Sequence, residues 1–160
     1  MASKQKITTF LWFDNNAEAA MAFYTAIFKH SKILNVSRYG EAGPGPKGTV
    51  MVGAFELEGQ RFLALNGGPR FKFTEAVSLV IDCETQAEID YFWDRLSAGG
   101  QTQACGWLKD KFGLSWQVVP SVLSELIEDK DPQKSKRVMQ AMLEMVKFDI
   151  ARLQAAHAGH

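Results

Sequence analysis

The chain has 160 residues, 46% of them hydrophobic, and its 18 basic side chains balance its 18 acidic ones. This length can close one core or two small fused units, and the zero net charge gives no overall attraction to nucleic acid or to an anionic membrane. No apolar run is long enough to span a bilayer, and the first residues lack the hydrophobic segment of a secretory signal. We therefore expect a cytoplasmic protein with neither nucleic-acid nor membrane partners.

The first half of the chain predicts a strand, a helix and three strands. Residues 7–13 are β-branched and aromatic, and the turn cluster at residues 14–16 can cap a helix. Apolar residues at helical spacing then predict a helix over residues 17–28 that packs on a sheet. Further strands are predicted at residues 33–39, 50–57 and 62–65.

The second half predicts the same order of elements. A strand at residues 76–82 is followed by a helix from residue 85 to about residue 98, which Gly99 and Gly100 stop. Short strands are then predicted at residues 101–105, 106–109 and 114–119. The elements indicate two copies of one βαβββ unit.

Numerical alignment supports this repeat. A step of 68 residues places Phe13 on Ile81 (81 − 13 = 68), and a step of 54 places Gly59 on Gly113 (113 − 59 = 54). The shorter second step corresponds to a deletion, which the glycine- and proline-rich loop at residues 40–48 of the first unit explains.

Gln117 is a polar amide in the middle of the last predicted strand, between Trp116 and Val118. One interpretation is a half-exposed strand position, and the other is a side chain that points into a cavity. The two cysteines, Cys83 and Cys105, fit neither a CxxC pair nor a disulfide framework, so we expect reduced thiols.

The chain continues beyond the repeat with a helical extension. Residues 121–127 predict a short helix, and Asp131 and Pro132 open another. A mainly apolar stripe from Val138 to Leu153 predicts one long helix that covers a surface of this chain or of a second subunit.

Two features of the repeat resemble a known superfamily: the aromatic pair in the first helix, and the closing pattern Asp110-x-Phe112-Gly113-x-x-Trp116. They resemble the vicinal oxygen chelate proteins, which include glyoxalase I, bleomycin- and fosfomycin-resistance proteins and extradiol dioxygenases. Residues 82–90, 105–110 and 137–142 resemble its PhnB-like branch, whose members often carry the name 3-demethylubiquinone-9 3-methyltransferase.

The resemblance implies an α+β fold. Two tandem βαβββ units, about residues 6–68 and 76–120, would form a cupped mixed sheet in a glyoxalase-like domain at residues 1–120. C-terminal helices would occupy residues 121–160. Relatives are commonly homodimers, so we expect a homodimer with residues 138–153 at or beside the contact.

In the superfamily a divalent metal sits on the first and last strands of both units. Carrying these places over gives Phe10, Leu63, Ser78 and Gln117, none of which is a histidine, carboxylate or thiolate. The three histidines are expected to be exposed titratable groups and not ligands. We therefore predict neither a metal nor a cofactor.

Methyl transfer is not expected from the sequence. The turn after the first strand, residues 14–16, lacks the glycine-rich pattern that brings backbone close to a nucleotide-like cofactor. The glycine-rich run at residues 66–69 precedes no predicted helix and is interpreted as the link between the units.

The predicted function is the binding of a small, mostly apolar organic molecule. The proposed ligand contacts combine apolar residues with a few hydrogen-bonding groups, as organic-ligand pockets do. They are Phe10, Trp12, Leu63, Ser78 and Gln117, with Trp107 at the rim. No histidine is predicted near Ser78 to activate it, and Asp110 is either a base or a turn residue bonded to its own backbone.

Three alternatives stay open at the level of sequence. In the first, the aromatic residues fill the cup as ordinary core. In the second, the chain is a metal-dependent lyase, isomerase or dioxygenase with other ligands. In the third, it is an interaction module with a filled cup. Chelation would distinguish the metal enzyme, and a dry, packed cup would favour the interaction module.

Overall fold

The computed structural model describes residues 4–160 and divides the chain into two compact units, Met1–Phe73 and Thr74–His160. Each unit has its own four-stranded mixed sheet with a helix between its first and second strands. Within residues 4–160, no helix combines the length and apolar character that crossing a membrane would need.

The first unit follows the predicted order of elements, and its strand order is β1-β4-β3-β2. Strands β1 and β4 are parallel, whereas β3 is antiparallel to both of its neighbours. The elements are β1 Thr9–Phe13, α1 Ala17–Ile27, β2 Lys32–Arg38, β3 Val50–Leu57 and β4 Gln60–Asn66.

Aromatic stacking holds α1 on one face of this sheet. Tyr24 of α1 stacks on Phe55 of β3 with ring centroids 6.2 Å apart, and Phe55 stacks on Phe62 of β4 at 5.3 Å. A Cβ at Gly53 would lie 2.4 Å from Met21 Cε, so the helix approaches the strand where no side chain intervenes. Residues that alternate with Phe55 and Phe62 therefore lie on the opposite face.

The second unit repeats this topology with the strand order β5-β8-β7-β6. Strands β5 and β8 are parallel, and β7 is antiparallel to both β8 and β6. The elements are β5 Ser78–Cys83, α2 Gln86–Ser97, β6 Gln101–Thr102, β7 Trp107–Lys109 and β8 Ser115–Pro120. The expected α+β fold of two βαβββ units is confirmed.

Helix α2 begins at a side-chain cap and buries an apolar stripe. Thr85 Oγ1 accepts a hydrogen bond from Glu88 N at 3.1 Å, which satisfies one of the free donors of the first turn. The stripe that α2 buries consists of Ile89, Phe92, Trp93 and Leu96. On the sheet, Leu108 and Trp116 are register partners and are both buried, so they mark the sheet face that belongs to the core.

The predicted long helix over residues 138–153 is wrong. The extension consists of α3 Val122–Ile127, α4 Pro132–Leu143 and α5 Ile150–Ala158, so the stripe is interrupted at residues 144–149. Met145 and Phe148 in this interruption are each only 2% exposed. Cys105 N donates to Met145 O at 2.9 Å and Gly106 N donates to Val146 O at 2.8 Å, so the segment bonds to the β6–β7 loop instead of continuing the helix.

Side chains also tie this segment to α2. The amide of Gln86 donates to Phe148 O at 3.0 Å and accepts from Ile150 N at 2.8 Å. Lys147 Nζ lies 2.9 Å from Asp90 Oδ1, and this hydrogen-bonded contact lowers the pKa of Asp90 and raises that of Lys147. The extension is therefore part of the second compact unit.

Candidate ligand-binding site

In the first unit, three predicted ligand contacts lie on the sheet face opposite α1. Phe10 and Trp12 are two residues apart on β1, and Leu63 on β4 is the register partner of Phe10. Phe10 is 52% exposed, whereas the alternate residues Leu11 and Phe13 are buried. The first unit thus presents an open apolar surface next to its core.

Trp12 is held firmly on this face. Its Nε1 donates to Gly68 O at 2.9 Å, and its ring makes an edge contact with Phe71 at a centroid distance of 4.9 Å. A Cβ at Gly67 would lie 2.4 Å from the indole, so the ring fits against bare backbone. A ligand would meet an aromatic surface whose orientation is already set.

In the second unit, Gln117 lies at the centre of a row that crosses three strands. Its register partner on β5 is Val80 and its partner on β7 is Trp107. Register partners share a face of the sheet, and these residues alternate with the buried Trp116 and Val118. Val80 is 60% exposed, so this row is open as well.

The amide of Gln117 is oriented by Ser78. Its Nε2 donates to Ser78 Oγ at 2.9 Å. Ser78 is the register partner of Ser115, so the amide reaches two residues along the strand pair to make this bond. Gln117 is half-buried, as the interpretation of a half-exposed strand position expects, and this hydrogen bond sets the orientation of its amide.

The repeat alignment differs from the strand register by two residues. It treated Ser78 and Gln117 as the equivalents of Phe10 and Leu63, which are direct partners, whereas the direct partner of Gln117 is Val80. A shift of two residues keeps a side chain on the same face. The residues that the alignment selected therefore share one face with Val80, which the alignment did not select.

A second row on the same face is polar. Ser115 lies between its partners Ser78 on β5 and Lys109 on β7. Ser115 is fully buried, and its Oγ has no hydrogen-bond partner among residues 4–160. Lys109 is ion-paired with Glu75, and this hydrogen bond lowers the pKa of the Glu75 carboxyl. The sequence did not single out Ser115 or Lys109.

Asp110 is a structural residue of the β7–β8 turn. It is 2% exposed, and its Oδ1 accepts from Phe112 N at 2.8 Å and from Leu114 N at 3.1 Å. Its Oδ2 accepts from Trp116 Nε1 at 2.9 Å. The carboxylate is committed to these donors, which supports the prediction that it bonds its own turn.

The four residues that the sequence resemblance gave for a metal position, Phe10, Leu63, Ser78 and Gln117, do not have the chemistry of divalent-ion ligands. Phe10 and Leu63 offer only hydrocarbon, and the Gln117 amide is bonded to the Ser78 hydroxyl. In the part of the chain that the structure describes, no three histidine, cysteine or acidic side chains form a group that could hold a metal. The Nε2 atom of His157 lies 2.7 Å from Asp129 Oδ2.

Each unit also has a pocket at the carboxyl ends of its parallel strands. The first, of about 500 Å³, lies between the β1–α1 turn, the segment after β4 and the loop that follows Tyr39. The second, of about 410 Å³, lies between the ends of β5 and β8 and helix α3. Neither pocket is lined by the six predicted ligand contacts.

Comparison with known proteins agrees with this architecture. The model of a family described as 3-demethylubiquinone-9 3-methyltransferase matches residues 5–119. A Bacillus cereus structure, named as a PhnB protein of that methyltransferase type, is 44% identical with a TM-score of 0.68. The match covers 72% of this chain and 99% of the Bacillus protein. No curated protein matches the chain.

More distant structures share the fold alone. Protein PA1353 from Pseudomonas aeruginosa is 20% identical with a TM-score of 0.61, over 73% of this chain and 98% of that one. The fosfomycin resistance protein FosX from Listeria monocytogenes, in complex with Mn(II) and sulfate, is 16% identical with a TM-score of 0.52. That match covers 78% of this chain and 95% of FosX.

Proposed function

Because the chain belongs to the PhnB-like family, which bears the name 3-demethylubiquinone-9 3-methyltransferase and has the glyoxalase fold, we propose that it binds a small, mostly apolar organic molecule without a metal. The proposed contacts in the first unit are Phe10, Trp12 and Leu63. The proposed contacts in the second unit share a place on the open face of its sheet, and they are Ser78, Val80, Trp107 and Gln117.

The row Val80, Gln117 and Trp107 carries this proposal. Its hydrocarbon and aromatic surface is partly exposed, and Val80 alone leaves 60% of its surface in water. Covering the exposed part of the Val80 side chain contributes about 1–2 kcal/mol, which gives an apolar ligand a driving force. The aromatic ring of Trp107 adds a broad, rigid surface to the same row.

The Gln117 amide, which lies between Val80 and Trp107, supplies specificity. Because Gln117 Nε2 is bonded to Ser78 Oγ, the amide has a set orientation and its Oε1 is left as an acceptor. A few placed polar groups in an apolar surface are the usual composition of an organic-ligand site. The ligand is therefore expected to be apolar with one or two polar atoms.

Methyl transfer is not part of the proposed function, despite the family name. The turn between β1 and α1 is Asp14-Asn15-Asn16, with no glycine to admit a nucleotide-like cofactor. After β4, Gly67 N and Gly68 N donate to Phe13 O and Asp14 O at 2.9 and 3.0 Å, so these glycine amides already have partners. No helix follows this run before β5.

The proposal is tested by titrating the 15N-labelled full chain with 2-ethylnaphthalene in the presence of EDTA. Binding should shift the NMR signals of the Trp107 indole and the Gln117 side-chain amide. The substitution Val80→Asp should weaken binding about tenfold or more, since it puts a charge beneath an apolar ligand. The matched control is Val77→Asp, because Val77 is 67% exposed but precedes β5.

Two results would contradict the proposal. The first is the absence of any saturable shift at Trp107 and Gln117. The second is stoichiometric zinc, nickel, manganese or iron in the purified protein by elemental analysis, which would favour a metal-dependent lyase, isomerase or dioxygenase.

A further inference from the structure

The Ser115 hydroxyl is an unsatisfied polar group in a fully buried position. The side chain is 0% exposed, and its Oγ finds no hydrogen-bond partner within residues 4–160. Leaving a buried hydroxyl unpaired costs folding free energy, and such groups are rare in native proteins, so each one calls for a structural or functional explanation. An alanine of nearly the same size would avoid this cost.

The neighbours of Ser115 are hydrogen-bond donors on the same face of the sheet. Ser78 and Lys109 are its direct register partners on either side. The Ser78 oxygen accepts from Gln117, so the Ser78 hydroxyl hydrogen remains to be donated. The row therefore contains three donors, the hydroxyls of Ser78 and Ser115 and the ammonium of Lys109. A ligand that binds there needs an acceptor atom.

The charges around this row favour a neutral acceptor. The Lys109 ammonium is ion-paired with Glu75, and Gln103 Nε2 is 3.5 Å from the same Glu75 oxygen. The formal charge of the pair is zero, so a carboxylate on the ligand would have to compete with Glu75. A carbonyl oxygen accepts hydrogen bonds without this competition.

We propose that Ser78, Ser115 and Lys109 form a subsite for the carbonyl oxygen of an aromatic ketone whose rings lie on Val80 and Trp107. This inference rests on the proposed function and specifies its ligand class. The two rows are two residues apart along the strands, roughly 7 Å, which suits a two-ring ketone with its oxygen at one end. The Lys109 side chain, 30% exposed and ion-paired with Glu75, is the third donor of this subsite.

The test compares 2-acetylnaphthalene, which has the carbonyl, with 2-ethylnaphthalene, which has the same shape without it. The wild-type chain should bind the ketone at least about fivefold more tightly by NMR titration. Ser115→Ala should abolish this preference and leave the affinity for the hydrocarbon unchanged. In the absence of ligand, Ser115→Ala should raise the thermal unfolding midpoint, because it removes an unpaired buried hydroxyl.

Ser135→Ala is the matched control. The Ser135 hydroxyl already donates to Ile127 O at 2.5 Å, so its removal should lower the unfolding midpoint and keep the preference for the ketone. If Ser115→Ala retains the preference, or if the wild type binds both compounds equally, this inference fails and the proposed function stands. If the wild type binds neither compound, both fail.

Discussion

Asp110 accepts hydrogen bonds from two backbone amides of its own turn and from the indole of Trp116, all in a site that is 2% exposed. Asp110→Ala should lower the free energy of unfolding by about 3 kcal/mol, because three buried donors lose a charged acceptor. Asp110→Asn should also destabilise, since its NH₂ group cannot accept from a donor. Urea unfolding followed by circular dichroism measures both changes.

The control for Asp110 is Glu41→Ala. The Glu41 side chain is 84% exposed and pairs with Lys47 at the surface, so its removal should change the unfolding free energy by no more than about 0.5 kcal/mol. An Asp110→Ala variant as stable as Glu41→Ala would contradict the structural role of the turn.

Cys83 makes the unfolding free energy depend on alkaline pH. Burial, with the nearby charges of Glu88 and Asp82, raises the pKa of the thiol from 9.0 to about 12. Between pH 9 and about pH 12 the thiol loses its proton in the unfolded chain but keeps it in the folded chain. Unfolding therefore releases a proton in this range, and the free energy of unfolding is highest below pH 9 and falls as the pH rises. At about pH 10.5 the loss should be about 2 kcal/mol.

The measurement is urea unfolding at about pH 8 and about pH 10.5 for the wild type and for Cys83→Ala. The wild type should lose about 2 kcal/mol more than the variant between the two conditions, whatever the variant's absolute stability. Equal losses would show that Cys83 titrates alike in the folded and unfolded chains.

Single residues differ in how well the sequence predicts their roles. The pattern around Asp110 predicts its turn because the spacing to Gly113 and Trp116 is local. Val80 and Ser115 were not predicted as contacts because their places opposite Gln117 and Ser78 depend on the β5–β8 register, and a two-residue shift leaves the hydrophobic pattern unchanged. The Ser78–Gln117 bond joins residues 39 positions apart, which no local pattern encodes.

At the scale of elements, local propensity predicted most of the structure. Strand β3 has the bounds expected, Val50–Leu57, and α1 begins at Ala17 as its turn cluster indicates. The tail was predicted incorrectly because Met145 falls on the helical stripe and neither glycine nor proline marks the break. The competing interaction is tertiary, since the carbonyls of residues 145 and 146 accept from Cys105 and Gly106.

Gly106 provides a test of this break. It has a φ of 79°, and an added Cβ would lie 2.5 Å from the Phe148 ring and 2.7 Å from Val118 O. Gly106→Ala should therefore combine backbone strain with a clash and destabilise the chain by about 3 kcal/mol or more. Amide hydrogen exchange at residues 105 and 106 should accelerate, because their bonds to the 144–149 segment weaken.

Gly113→Ala is the matched control for the clash. Gly113 has a similar φ of 89°, but no atom lies within 4 Å of its added Cβ, so only backbone strain of about 1 kcal/mol is expected. Equal destabilisation of the two variants by urea unfolding would show that Phe148 does not pack on Gly106 in solution.

At the scale of the whole molecule, the two units share one topology although their sequences share few identities. Their strand orders, β1-β4-β3-β2 and β5-β8-β7-β6, correspond strand for strand. Gly59 and Gly113, which the 54-residue step aligns, both have positive φ before the last strand of their unit. An origin by internal duplication is consistent with this correspondence and stays an inference.

The homodimer predicted from the sequence gives an expectation for the intact chain. Near the broken stripe, Leu143 is 63% exposed and Val146 is 49% exposed. We expect sedimentation equilibrium to give twice the chain mass of 17.8 kDa, and the double substitution Leu143→Glu with Val146→Glu to shift the protein towards monomer. A wild-type monomer at high micromolar concentration would contradict this expectation.

We propose that the open face of the second unit's sheet binds an apolar organic molecule without a metal. The most direct measurement is the affinity for 2-acetylnaphthalene after exhaustive chelation, repeated with equimolar Mn(II) returned, with the Trp107 and Gln117 NMR signals as the readout. We predict saturable binding in the chelated sample and the same dissociation constant after Mn(II) is added. Binding that appears only when the metal is returned, or no binding in either sample, would show that this sheet face is not a metal-free ligand site.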